Sequence, residues 1–134
     1  MTIITLPAPP SANRLWRSTC RRVYRAQGYV KWLRDAGWTL RAQHPGRIPG
    51  DYAMRLLACP KDKRKRDLDN LLKATSDLLV AAGVVDEDSR CRVIEAAWVD
   101  ETECPKGHIR VAIEPHVDPR TIGTWMQIGA EVRK

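Results

Sequence analysis

The sequence predicts a single small domain of the α/β (α+β) class, in which a mixed four-stranded sheet is covered by two helices. Three observations predict it. Apolar residues recur at three- and four-residue spacing in two segments, 26–43 and 68–82. Four other segments, 2–6, 52–59, 91–99 and 108–114, are short, apolar or alternating, and bounded by turn-forming residues. The length of 134 residues suits one domain. A chain of that size buries roughly two-thirds of its unfolded surface, enough for one core. The predicted order is β-α-β-α-β-β, with no internal repeat.

Thr2 to Leu6 reads as a short strand, which Pro7, Pro9 and Pro10 stop and stiffen. Ser11 to Arg25 reads as a loop carrying Arg14, Arg17, Arg21, Arg22 and Arg25, interleaved with Trp16 and Tyr24. Arginine offers phosphate a planar fork of donors, and aromatic rings stack on unpaired bases. The plainer alternative is a partly disordered basic arm. From Ala26 to Gln43, the residues Tyr29, Val30, Leu33, Ala36, Gly37 and Leu40 form the apolar face of a first helix. Trp32 and Trp38 are assigned to covering the sheet or to a subunit contact. His44 to Gly50 is a loop by its Pro and Gly content, with His44 a solvated loop residue rather than a ligand. Tyr52 to Cys59 is a second strand, mostly apolar and so internal to the sheet.

The second helix buries Leu68, Leu71, Leu72, Thr75, Leu78, Leu79 and Ala82, and Gly83 ends it. Asp67 is expected at its N-cap and Asp69 in the first turn, where backbone N–H groups and the macrodipole favour an anion. Lys73 lies one turn after Asp69 on the same face, and Asp77 one turn further. Cys91 to Val99 is a third strand. In the fourth, His108 to Glu114, the residues Ile109, Val111 and Ile113 alternate with His108, Arg110 and Glu114. Asp100 to Gly107 is expected to join these two as a hairpin-like loop. Pro115 to Lys134 reads as an extension in which Gly123 and Gly129 weaken a short helical pattern.

The net charge is +7 and the sequence pI about 9.6, which suits a polyanionic partner. The distribution says more than the sum. Residues 1–50 carry nine bases and one acid, and 61–66 carry five bases and one acid. Residues 67–88 carry six carboxylates and one lysine. Two basic segments thus precede an acidic one. A fold has no structural need for that polarity; a site that grips phosphates with cations and holds a divalent metal with carboxylates does. Cys20, Cys59, Cys91 and Cys104 are too widely spaced for a structural zinc site. Their thiols, with no signal peptide or membrane-spanning run, fit a reducing cytoplasm.

The run Arg64-Lys65-Arg66-Asp67-Leu68-Asp69-Asn70-Leu71-Leu72-Lys73, followed by Asp77, Gly83 and Glu87-Asp88, resembles the signature of the RusA family of Holliday junction resolvases. Leu6-Pro7-Ala8-Pro9-Pro10-Ser11-Ala12-Asn13-Arg14 is similar to that family's N-terminal motif. The match runs in register from about Thr2 to Glu114. It divides the chain into a RusA-like endonuclease domain, 1–114, and a C-terminal extension, 115–134. The resemblance implies a metal-dependent endodeoxyribonuclease, bacterial or phage-encoded, that resolves four-way DNA junctions by paired symmetric nicks in recombination and repair. It also implies a homodimer, whose two-fold axis would present two equivalent sites to two strands. Trp32, Trp38, Trp98 and Trp125 are the interface candidates.

Asp67, Asp69 and Asp88 match the family's essential acidic residues, and Lys73 its essential lysine. Mg²⁺, with Mn²⁺ as a substitute, suits such carboxylates. Lys73 would bind the scissile phosphate or stabilise charge on it. Arg14, Arg17, Lys63, Arg64, Lys65 and Arg66 are the DNA-binding candidates. Asn70 is a further candidate ligand through its amide oxygen. Glu87 stands where the family often has a second aspartate, and its longer side chain displaces the oxygen. Asp86 becomes a ligand only if the loop register slips by two. Each has a plainer role: Asp67 as a cap contributing about 1 kcal/mol, Asp69 as a complement to the helix dipole, and Asp86-Glu87-Asp88 as an acidic turn. Lys73 then becomes a surface ion-pair partner of Asp69. Those roles together describe a non-enzymatic, structure-selective nucleic-acid-binding protein. A third reading is a basic protein whose target is another protein.

Overall fold

The computed structural model describes residues 1–10, 16–19, 22–25, 27–62 and 68–117, with the side chains of 16–19, 22–25 and Asn70 outside that description. The chain runs β1 (Thr2–Pro7), β2 (Trp16–Thr19), β3 (Arg22–Arg25), α1 (Gln27–Ala42), β4 (Tyr52–Ala58), α2 (Asn70–Ala81), a 3₁₀ turn (Asp88–Arg90), β5 (Cys91–Trp98) and β6 (His108–Pro115). Four strands form one mixed sheet in the order β1-β6-β4-β5. β4 pairs parallel with β5 and antiparallel with β6, and β1 pairs antiparallel with β6. The apolar β4 is therefore internal, as its composition predicts.

Two features of the sheet differ from the sequence reading. β2 and β3 pair as a separate two-stranded ribbon, Trp16 opposite Arg25 and Thr19 opposite Arg22, where a loop was expected. β5 and β6 are not hairpin partners, because β4 lies between them. The segment joining them passes the end of β4, where Val99 N–H donates to Ala58 O and Gly107 N–H donates to Cys59 O. The parallel β4–β5 pair demands a crossover, and α2 supplies it.

One face of the sheet meets both helices. Ile4 and Leu6 of β1, Tyr52, Met54 and Leu56 of β4, and Ile109, Val111 and Ile113 of β6 are buried with Leu40 of α1 and Leu71, Leu78 and Leu79 of α2. The period-two alternation of strands puts these on one side. Each fully buried Leu or Ile contributes about 1.5–3 kcal/mol. α1 and α2 approach closely at Gly37, where an added Cβ would lie 3.9 Å from a Leu78 methyl. The buried stripe of α1 is Tyr29, Trp32, Ala36, Gly37 and Leu40. Val30, expected inside, is half exposed, and Trp32, offered as an interface residue, is 7% exposed with its indole N–H donating to Pro7 O. Trp38 does lie at the surface, under the Arg41 guanidinium. Trp98 is partly exposed, and Trp125 lies outside the described residues.

α2 begins later than the sequence suggests. Its N-cap is Asp69 rather than Asp67, and the entry is tight, with Leu71 N–H bonded to Leu68 O and Leu72 N–H to Asp69 O. These are three-residue bonds, common in first turns. Its end follows the prediction. Gly83 takes φ +75°, Gly83 N–H donates to Val80 O and Val84 N–H to Leu79 O. That is a Schellman termination, and it needs a residue free to adopt the left-handed region. No helix among the described residues is long and apolar enough to cross a membrane.

Candidate active site

The site is built on the flank of α2 that faces away from the core. Helical spacing places Asp69, Lys73 and Asp77 in line along it. Asp69, at the N-cap, makes no side-chain capping bond. One turn on, Lys73 Nζ lies 3.1 Å from Asp77 Oδ1. Lys73 is therefore not the partner of Asp69 that its spacing allowed; its ion pairs run to Asp77 and to Asp88.

Asp88 reaches this flank from beyond the helix. After the Gly83 termination, Ile48 and Val85 form a bridge, with Ile48 N–H donating to Val84 O at 2.7 Å. Asp86 accepts from Arg47, whose Nη2 is 2.6 Å away, and from Gly50 N–H. Glu87 is extended (φ −148°, ψ 147°), and Asp88 opens the 3₁₀ turn. Asp88 Oδ2 then lies 3.7 Å from Lys73 Nζ, with its side chain half exposed. That separation is a charge contact, longer than a good hydrogen bond.

Two of the three neighbouring acids are thus engaged locally. The Arg47 guanidinium, then the Gly50 amide, hold the Asp86 carboxyl below its ordinary value. Glu87 accepts from Ser89 Oγ at 3.0 Å. Neither needs a metal to explain its placement. Among the described residues, Asp88 has only the long contact to Lys73. On Lys73 itself, the Asp77 hydrogen bond and charge push the ammonium pKa up, partial burial opposes, and Asp88 adds to the rise.

Behind the flank the site is tied to the core. The Tyr29 hydroxyl, on a fully buried ring, donates to Asp77 Oδ2. The Tyr52 hydroxyl is also buried; it meets no oxygen or nitrogen partner among the described residues, and the Cys91 thiol is its polar neighbour. Burial first, and then the charges of Cys91 and Asp88, push its pKa up to about 12, so it stays protonated near the site. The sequence reading passed over both hydroxyls. Tyr29 counts only as an apolar residue in a periodicity, and its partner is 48 residues distant along the chain.

Among the described residues no three His, Cys, Asp or Glu side chains form a metal-holding group. Asp67, the third expected carboxylate, lies outside the described residues, as do Arg14 and Lys63, Arg64, Lys65 and Arg66. Arg17 falls in β2, with its side chain outside the description, and the side chain of Asn70 likewise. Among the described residues, then, Asp88 meets Lys73 one turn from Asp69, while Asp86 and Glu87 have partners of their own.

Such a fold and site define a small α+β domain in which Asp88 is brought to Lys73 on the flank of a helix. Residues 7–114 match the family model described as Endodeoxyribonuclease RusA. A crossover junction endodeoxyribonuclease RusA of Aquifex aeolicus is 31% identical over 115 residues, covering 85% of this chain and 89% of that protein. The protein of the same name from Enterobacteria phage HK97 is 31% identical over 112 residues, covering 81% and 89%. That of Escherichia coli K12 is 34% identical over 94 residues, covering 65% and 73%. The chain belongs to the RusA family.

Proposed function

We propose that this protein is a metal-dependent, homodimeric endodeoxyribonuclease that resolves Holliday junctions by paired symmetric nicks. The observation that carries the reading is the return of Asp88 across the end of α2 to Lys73, one turn from Asp69. The names of the relatives support the same chemistry. Asp67, Asp69 and Asp88 would hold Mg²⁺ or Mn²⁺. What supports this is that Asp69 makes no cap bond and that Asp88 has, among the described residues, only a 3.7 Å charge contact, which leaves both carboxylates open to a hard cation. The metal, when bound, would activate water and neutralise charge on the phosphate.

The chain's own groups have separate tasks. Among the described residues Lys73 is the cation paired with the acids of this flank, and it would meet the negative scissile phosphate. Like any lysine near its ordinary pKa it is charged at neutral pH, and Asp77 raises that pKa further. Lys63 to Arg66 directly precede Asp67 in the sequence and would hold the backbone of the DNA, with Arg14 and Arg17 as further phosphate contacts. Residues 1–114 would form the catalytic domain, and 115–134 an extension to it. Two copies related by a two-fold axis would address two opposing strands.

The test is an end-labelled synthetic four-way junction beside linear duplex of the same sequence, each with and without Mg²⁺. Metal-dependent nicks at symmetric positions in opposing strands of the junction are expected. Salt-sensitive binding with no nick in either substrate would leave a nucleic-acid-binding module. Equal cutting of the duplex would make it a general nuclease.

A further inference from the structure

Asp77 occupies a position the proposed chemistry does not use. Its side chain is 14% exposed, against 52% for Lys73 and 54% for Asp88. A largely buried carboxylate is costly unless its oxygens are bonded. Both are: Tyr29 donates to Oδ2 and Lys73 to Oδ1. Tyr29 cannot follow a moving partner, because its ring is fully buried on α1 and lies along Trp32, with centroids 6.3 Å apart. Trp32 is pinned in turn by its bond to Pro7 O. A chain of polar contacts therefore runs from the core, through Asp77, to the ammonium that faces Asp88. Lysine is a flexible stem with a point charge, and nothing in an ordinary surface ion pair fixes it. Here the acceptor is itself held by a donor on a fully buried ring.

We propose that Asp77 and Tyr29 are positioning residues, which hold the Lys73 ammonium within reach of Asp88. The proposal rests on the nuclease reading for its purpose, but its physical content is the order of one side chain. If the pair served only to join α1 to α2, Lys73 would gain no order from it.

Carbon-13 relaxation at Lys73 Cε in the intact protein tests this without any activity. Lys73 is expected to be more ordered than Lys106, whose nearest acid is an exposed glutamate 3.9 Å away. Asp77→Asn and Tyr29→Phe are expected to release Lys73 to the mobility of Lys106 while the amide spectrum stays dispersed. Lys73 as mobile as Lys106 in the unsubstituted protein would overturn the proposal, as would unchanged order in both variants. The order comparison in the unsubstituted protein decides the matter even where a variant does not fold.

Single-turnover cleavage of the junction gives the functional arm. Asp77→Asn is expected to slow cleavage about tenfold, on the scale of misplacing a reacting group, with junction affinity unchanged. In a Lys73→Met background the same change is expected to have no further effect. Additive losses would assign the pair to fold stability and overturn the proposal. Absence of cleavage by the unsubstituted protein would strike at the nuclease reading, and the relaxation result would still stand or fall alone.

Discussion

The two ends of α2 carry acids with opposite fates. Beyond the C-terminal end, Asp86 is bonded to Arg47 and to the Gly50 amide, and the chain around it is fastened by the Ile48–Val85 bridge. On the flank nearer the N-terminal end, Asp69 makes no capping bond and Asp88 has, among the described residues, only a 3.7 Å contact to Lys73. Asp86 and Asp88 are two residues apart, yet one is consumed in holding a loop and the other is left facing the helix flank. An acid with its hydrogen bonds met by its own fold has a structural explanation. An exposed acid brought beside another element without such bonds is where chemistry is to be sought.

That contrast can be broken at several points. The largest expected effect is on cleavage: Asp69→Asn should slow junction cutting by at least about 100-fold, the scale of losing one group that stabilises transition-state charge. Junction binding, measured by gel shift, should persist or tighten, because a negative charge is removed from a DNA-facing surface. Next in size is the helix terminus. Gly83→Ala should lower stability by about 1–2 kcal/mol, read by urea unfolding, since φ +75° is unfavourable for a residue with a Cβ. No heavy atom lies within 4 Å of the added carbon, so the effect is one of backbone conformation and not of crowding.

A smaller effect belongs to the Arg47–Asp86 pair. The folded-state pKa of Asp86 lies below its ordinary 3.8, so the unfolded chain binds its proton first on acidification. The pair stabilises the fold above that ordinary value and ceases to do so as pH falls through the depressed one. Arg47→Ala should therefore flatten the fall in melting temperature below about pH 4 in metal-free buffer, and leave cleavage unchanged. The smallest effect is expected at Tyr52. Its buried hydroxyl has only the Cys91 thiol, a weak hydrogen-bonding group, as a polar neighbour among the described residues, so Tyr52→Phe should leave stability within about 1 kcal/mol of the parent.

How much of this was legible in the sequence follows from what periodicity encodes. The six main elements could be read because each alternates or repeats with its own period. Their neighbours could not: β5 and β6 alternate as a hairpin would, and nothing local reveals that β4 lies between them. The ribbon of β2 and β3 was missed because its strand formers, Trp16, Thr19, Val23 and Tyr24, are interleaved with arginines, and Cys20-Arg21 lacks the Gly or Asn that marks a tight turn. In α1 the stripe was nearly right, but Trp32 and Val30 lie at its two margins, and the larger ring went inside. At the site, the line Asp69, Lys73, Asp77 is a consequence of helical spacing alone. The arrival of Asp88 was anticipated only through the family signature, since a tertiary return after Gly83 leaves no periodic trace. The buried hydroxyl of Tyr29 was invisible for the same reason.

The most direct measurement sets the two neighbouring acids against each other. Asp86→Asn and Asp88→Asn proteins are compared for cleavage of one labelled four-way junction in Mg²⁺, at matched fractions of bound DNA. The account predicts that Asp88→Asn binds and does not cut, while Asp86→Asn cuts as the parent does. Equal loss in the two, or a greater loss at Asp86, would contradict it.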